Sequence, residues 1–552
     1  MPPDLVLGPM LRHAGETEAT VWVETSAPCE VEVLDRATRT FAIAGHHYAI
    51  VVIEDLEPGS SMPYEVTLDG ETVWPPRDDW PYPESCIRTL EADATLDLAF
   101  GSCRVCAPHS PPYSLRKDED DHGREVDALV AFADRMSEQD PSQWPQIVLL
   151  LGDQVYADEV SPGVAALIRR RRSTQQPPGI EIADFEEYTH LYREAWSDPS
   201  VRWLLSTMPT AMIFDDHDVN DDWNTSWRWR ARVTAESWWD DRIAGAFMSY
   251  WLYQHLGNLS VAELHEEPLL ARVRDAGDGT EILRDFARQA DREPDGSRWS
   301  FRRDLGATRV VMLDSRAGRV VTPDRPRDML GDDEWAWADE QLTGDVDHLV
   351  IGTSLPFLLG GGMHDLEAWN EAVAEGAWGP RAAKLAERLR QGLDLEHWAA
   401  FQRSFLRLAK IVEEVATGRR GRAPATIVFL SGDVHHAYLA EVQLAHAAES
   451  RVFQAVCSPF RNPLDRREQR AVRAALSRPA IAVTRRLARA ARVDPTDWRW
   501  HFTDGPWFDN QVATLTLGRG SARVAIEKAV PQYPGPATLD RVLDRELLPT
   551  RA

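Results

Sequence analysis

Four short segments gather carboxylates, imidazoles and a thiol at the ends of apolar runs. They are Gly101-Ser102-Cys103, Gly152-Asp153-Gln154-Val155-Tyr156-Ala157-Asp158, Phe214-Asp215-Asp216-His217-Asp218-Val219-Asn220-Asp221-Asp222 and Ser431-Gly432-Asp433-Val434-His435-His436. Acidic groups crowded in this way are costly unless cations neutralise them. The chemistry they point to is a metal site with two metals. Asp153 can bridge two cations through its two oxygens, although taken alone it also reads as a helix N-cap. Tyr156 offers a phenolate, a ligand for a hard trivalent metal, and Asp158 offers a further oxygen. Asp215, Asp216 and Asp218 surround His217, which is either a ligand or a general acid. Asn220, Asp221, Asp222 and Asn224 extend the same polar loop. Asp433 and His435 are two apart and point the same way on an extended segment, while His436 faces the other way and reads as structural. Cys103 is either a thiolate ligand or a small buried side chain.

Such groups must be held by a scaffold, and the apolar runs supply one. Leu96–Phe100, Gln146–Leu151, Thr210–Phe214, Thr308–Leu313, His348–Ile351 and Ala425–Leu430 read as buried strands, with helical stretches such as 125–136 and 380–416 between them. That alternation predicts a layered α/β domain whose functional groups lie past the strand ends. Residues 1–92 instead show short strands, with alternating apolar and polar positions at Thr20–Glu24 and Cys29–Leu34 that predict half-buried strands of a small β-sandwich. Trp74–Pro83 reads as a packed linker. Residues 93–552 then form the α/β domain, closed by a hairpin at 511–526 and interrupted by a basic helical insertion near 464–493. This arginine-rich stretch is either a membrane-surface or phosphate-attracting helix or, as charge runs usually are, a rim helix paired with the chain's own carboxylates.

The chain has 552 residues and a formal net charge of −27, which disfavours non-specific nucleic-acid binding and leaves room for a local basic pocket. Its five scattered cysteines do not form a disulfide framework. No secretory or twin-arginine signal and no apolar run of membrane-spanning length is visible, so a cytoplasmic location is expected.

Together and in this order, the four segments resemble the PhoD-like alkaline phosphatases, a branch of the calcineurin-like metallophosphoesterases. Gly352–Phe357 and His364–Glu371 are also similar to that family. The resemblance implies a four-layer α/β/β/α domain and metal-dependent hydrolysis of a small phosphomonoester or phosphodiester. It implies Fe3+ and Ca2+, with Mn2+ or Zn2+ as alternatives. Carried over residue by residue, Cys103 and Tyr156 hold the iron, Asp153 bridges, Asp216 holds the second metal, and Asp433 and His435 close the site. His217 matches the general acid, while Asp158, Asp218, Asn224 and His364 are further candidate donors. Val105 departs from members that carry a carboxylate two residues after the cysteine. Arg104 and Arg316 are candidates for binding non-bridging phosphoryl oxygens, or else salt-bridge partners of nearby aspartates. Competing readings are a specialised phosphodiesterase and a metal-containing binding protein without turnover.

Overall fold

The computed structural model describes residues 2–76, 79–532 and 535–548. Ten strands open the chain: β1 (Leu5–Ala14), β2 (Ala19–Thr25), β3 (Glu30–Val33), β4 (Arg36–Arg39), β5 (Phe41–Ile43), β6 (His46–Ile53), β7 (Ser61–Pro63), β8 (Val66–Leu68), β9 (Glu71–Trp74) and β10 (Cys86–Arg88). They form two four-stranded sheets, β1-β2-β6-β5 and β4-β3-β8-β9, with β7 and β10 as a separate ladder. Val21, Val23, Val31, Val33, Val51 and Val66 fill the space between the sheets. Alternation predicts that β2 buries one face, yet all seven of its residues are buried. The second face is covered by the α/β domain: Met10, Trp22, Tyr48 and Ile50 join that domain's core. Of the predicted linker, residues 77–78 lie outside the described residues. The rest packs through aromatic rings, Trp74 on Trp80 at 5.1 Å and Tyr82 on Trp203 at 5.5 Å.

The remainder contains two further sheets. The first uses β11 (Leu96–Gly101), β12 (Ile147–Leu151) and β13 (Thr210–Ile213). The second uses β14 (Phe301–Leu305), β15 (Thr308–Leu313), β16 (His348–Thr353), β17 (Thr426–Ser431), β18 (Ala437–Gln443), β19 (Arg451–Val456) and β20 (Arg499–Trp507). The chain then returns to the first sheet with β21 (Gln511–Gly518), β22 (Ser521–Val530) and β23 (Thr538–Leu548). The orders are β13-β12-β11-β21-β22-β23 and β14-β15-β16-β17-β19-β18-β20. Strands β11–β13 run parallel, as do β15, β16, β17 and β19, so their C-terminal ends share an edge in each sheet.

Alternate residues of one strand serve different layers. Val310 and Met312 face the core shared with β11 and β12. Val311 and Leu313 face the opposite side, where the helices Asp332–Gln341 and Gln402–Ala416 cover the second sheet. The helix Ala128–Ser137, capped by Asp127, lies against the other face of the first sheet. The result is the expected helix–sheet–sheet–helix stack. One expectation fails in a way that matters. The stretch 380–416 is not one helix: Pro380–Gly392 and Gln402–Ala416 are separated by a loop with a short 3-10 turn at Trp398–Ala400.

Candidate metal centre

The strand ends turn sharply where the chemistry begins. Cys103, Asp153, Asp433 and His435 all have left-handed backbones, with φ of 55°, 49°, 64° and 50°. A non-glycine residue is strained there, and such strain persists where surrounding structure enforces it, characteristically at functional sites. The neighbouring glycines show what enforces it. A Cβ on Gly152 would lie 2.7 Å from that of Asp215, and one on Gly432 would lie 2.0 Å from the Ser102 hydroxyl. The loops therefore touch, and backbone bonds tie them: Cys103 N donates to Gly152 O at 3.3 Å, and Asp433 N to Ser102 Oγ at 3.1 Å.

This contact brings donors from both sheets into three overlapping groups. Cys103, Asp153 and His435 form the first, Asp153, Asp216 and His217 the second, and Asp215, Asp216 and Asp433 the third, each with its donor atoms within 4.8 Å of one another. Asp153 belongs to two groups and Asp216 to two. The buried Tyr156 phenol feels the charges of that first group and has its hydroxyl 3.3 Å from Asn462 Nδ2. Burial raises that phenol well above its ordinary range, and the charges of Asp153 and Cys103 push the same way.

The residues present fit bound cations. Asp153 Oδ1 and Asp215 Oδ2 are buried without a hydrogen-bond partner. Burial, then Asp215, Asp216 and Asp218, hold the Asp153 carboxyl well above the usual range against the pull of His217. Burial likewise raises the Cys103 thiol, helped by Asp153 and Asp433. Burial depresses His435 to about 3, leaving a neutral imidazole that can ligate. Such groups shed their protons to a cation and to little else.

The family model of the PhoD-like phosphatases matches residues 131–484. The chain belongs to that family. The matched range contains the segments of Asp153, Asp216 and Asp433 and begins after Cys103. A second family model, a domain of unknown function (DUF7800), matches residues 2–87. Among solved structures the chain is similar to one described as the structure of PhoD, with 14% identity and a TM-score of 0.58 over 99% of this chain and 93% of that one. The purple acid phosphatase PPD1 from seeds of yellow lupin (Lupinus luteus) aligns at 10% identity with a TM-score of 0.46, over 96% of this chain and 72% of that one. No curated protein matches. As a PhoD-like phosphatase, the chain is a metal-dependent phosphoester hydrolase.

Within this PhoD-like centre several candidate residues take roles other than those predicted. Asp158 faces His217 rather than a donor group: both its oxygens lie 3.0 Å from His217 Nδ1. Burial opposes charge on that imidazole, but Asp158, Asp216 and Asp153 raise its pKa well above the ordinary value. Asp218 lies outside the three donor groups. It accepts from the backbone amides of Asp153 at 3.0 Å, Val155 at 3.3 Å and Asp215 at 2.9 Å, so it pins two loops together. Asn224 donates to Arg316 O at 3.2 Å and accepts from Arg230 at 3.0 Å, outside the donor groups. His364 is a core histidine, its ring 4.7 Å from Phe405 and 4.6 Å from Trp500, and burial lowers it to about 3.

Neither arginine is free to bind phosphate. Arg104 pairs with Asp127 at 2.9 Å and donates to Ala195 O at 2.7 Å. Arg316 is fully buried against Asp215, Asp216 at 3.2 Å, Glu396 at 2.6 Å and Asp433 at 3.4 Å. It is a built-in counter-ion of the third donor group.

Three contributors were missed at the residue level, Glu367, Glu396 and His397, and Asp215 was read only as part of the polar loop around His217. His397 bridges Glu367 at 2.7 Å and Asp433 at 3.0 Å. These bonds and Arg316 keep Asp433 ionised, well below the usual carboxylate range despite its burial. The signal was Asp394-Leu395-Glu396-His397, three ionisable groups in four residues, hidden inside a stretch read as continuous helix.

Proposed function

We propose that this centre hydrolyses small phosphomonoesters and phosphodiesters with Fe3+ and Ca2+ as its cations, Mn2+ or Zn2+ being the alternatives. The chaining of three donor groups through Asp153 and Asp216 carries the reading. Cys103, Tyr156 and Asp153 are the set for the trivalent ion, and Asp153, Asp216 and Asp433 the set for the second, with His435 closing the site. Cations held there supply charge against the phosphoryl oxygens and lower the pKa of a water. The protein supplies a proton at a fixed atom. Because Asp158 engages Nδ1 of His217, Nε2 is the nitrogen that delivers a proton to the leaving oxygen as its bond to phosphorus breaks. Tyr156 packs on the imidazole at 4.6 Å and holds its plane. Arg316 and His397 keep Asp433 charged, and Arg316 does the same for Glu396.

Metal analysis of the purified protein, with paired assays of nitrophenyl phosphate and bis-nitrophenyl phosphate, tests this reading. The expected result is iron with calcium, turnover of both esters, and a visible charge-transfer spectrum that Cys103→Ser shifts. A metal-loaded protein that hydrolyses neither ester would instead be a binding protein. Loading by other metals with full activity would overturn the metal assignment alone.

A further inference from the structure

The basic insertion forms two exposed helices, Arg466–Ala475 and Arg478–Ala490. Between 466 and 490 the chain carries eight arginines and one acidic residue, Glu468, in a protein whose net charge is −27. The expectation that such arginines pair with the chain's own carboxylates fails for most of them. Only Arg466, with Asp118 at 2.7 Å, and Arg485, with Asp365 at 3.5 Å, form ion pairs among the described residues. Arg467, Arg470, Arg478, Arg486 and Arg489 point to solvent without a carboxylate partner, and Arg473 lies over the Phe508 ring at 4.5 Å.

The second helix is amphipathic, and its inner face is already occupied. Ile481 abuts Gly361 and Gly362, and Ala488 and Ala491 are buried. The outer face is not purely polar. Val483 is 54% exposed, and Pro479, Arg486 and Ala490 lie on the same stripe at i−4, i+3 and i+7. The stripe ends at Trp378, 43% exposed, whose indole donates to Ala490 O at 3.3 Å. Large exposed apolar side chains are few in this molecule. Six occur among the described residues, and two of them, Val483 and Trp378, lie along this one stripe with the unpaired arginines, Trp378 at its Ala490 end.

We propose that the outer face of the helix Arg478–Ala490, with Trp378, docks on the surface of an anionic lipid bilayer. Cationic side chains on a helix, an aliphatic side chain between them and a tryptophan at the edge are the combination that an interfacial helix uses. A soluble polyanion would account for the arginines but not for the exposed Val483 and Trp378. No helix among the described residues is long and apolar enough to cross a membrane, so the attachment is peripheral and reversible. The paired Arg485 and the buried inner stripe hold the helix on the body of the protein, so binding requires no refolding.

Co-sedimentation of the full chain with vesicles of phosphatidylcholine alone, or of phosphatidylcholine with phosphatidylglycerol, tests the proposal. Binding to the mixed vesicles alone is expected, weakening with added salt. The double variant Arg486→Glu/Arg489→Glu should lower partitioning by at least about 30-fold, as each arginine near an anionic surface contributes about 5-fold. Val483→Asp should weaken it as well. Circular dichroism and the unfolding midpoint should not change, since these side chains face solvent. Absence of vesicle binding, equal binding to neutral vesicles, or binding that Val483→Asp leaves intact while inorganic polyphosphate competes it away would each overturn a bilayer site. The last outcome would make the face a polyanion site.

Discussion

Two buried, strongly polar regions of this molecule have opposite logic. At the seam between the N-terminal sandwich and the rest of the chain, Arg12, Glu24 and His46 each find hydrogen-bond partners. Arg12 is fully buried and donates to the carbonyls of Tyr253 and of Gln254 at 2.8 Å. His46 lies between Glu24 at 2.9 Å and Glu186 at 3.0 Å, and Glu24 also accepts from Tyr253 at 3.0 Å. At the metal centre, carboxylate oxygens of Asp153 and Asp215 are buried without partners, and four of the donor residues have left-handed backbones. A satisfied polar cluster adds to stability and fixes how domains dock. An unsatisfied, strained one lowers stability and is retained for what it binds. The difference separates structure from function where burial and charge alone would not.

The largest expected effect comes from Asp153→Asn. Turnover should be abolished and metal content should fall, because one charge is lost from two donor groups at once. The metal-free variant should nevertheless be more stable than metal-free wild type, by about 1–3 kcal/mol, since an unpaired buried carboxylate is removed. Metal analysis, ester hydrolysis and unfolding in chelator measure the three parts. Full metal loading with near wild-type activity would break the contrast between the two regions.

His217→Ala sharpens it next. Loss of a general acid costs about 10²–10⁴-fold in rate on an alkyl phosphoester, and much less on a nitrophenyl ester whose leaving group needs no proton. Metals should stay bound. A variant that loses metal would make His217 a ligand of the second donor group, and equal losses on both esters would make it a phosphate-positioning residue. At the seam, Arg12→Met should do the reverse of both: a loss of about 3–5 kcal/mol of stability, because carbonyls are left unpaired in the core, with unchanged metal content per folded molecule.

Much of this was legible before the fold was known, and the reason lies in backbone chemistry. Strand, glycine and acid occur in adjacent positions at Leu151-Gly152-Asp153 and Ser431-Gly432-Asp433, so the turn and the donor are written together. Residues whose role depends on a partner distant in sequence were not legible. Arg316 and Asp215 are 101 residues apart, and only the apposition of two sheets shows that the guanidinium is consumed by carboxylates. His397 and Asp433 meet across 36 residues, and a helical periodicity that continued on both sides concealed the loop between them. His364 failed for the opposite reason: Asp365 and Glu367 beside it in sequence suggested a donor, while its neighbours in space are aromatic rings. The docked face of β2 was hidden likewise, since Thr20 and Glu24 keep the alternation of a solvent-facing strand while lying buried.

The smallest expected effect is a pH-dependent one at the seam. Both nitrogens of His46 face carboxylates, so only the doubly protonated ring can donate to each. Burial opposes that charge, but Glu24 and Glu186 outweigh it and raise the imidazole above its ordinary pKa, while Glu186 is lowered by the same pairing. A group whose pKa is higher folded than unfolded stabilises fully below its unfolded value, about 6.5 for histidine. That contribution declines as pH rises through the folded value. His46→Gln, which keeps a hydrogen-bonding side chain but no charge, should therefore cost about 1–3 kcal/mol at about pH 6 and progressively less toward about pH 9. Urea unfolding of metal-free protein across that range, with wild type in parallel, reads the difference directly. A gap that stays constant with pH would mean that His46 acts through packing against Phe185 and Tyr48 rather than charge. A gap that widens with pH would reverse the sign of the coupling and make the seam, like the metal centre, a place where charge is held at a cost.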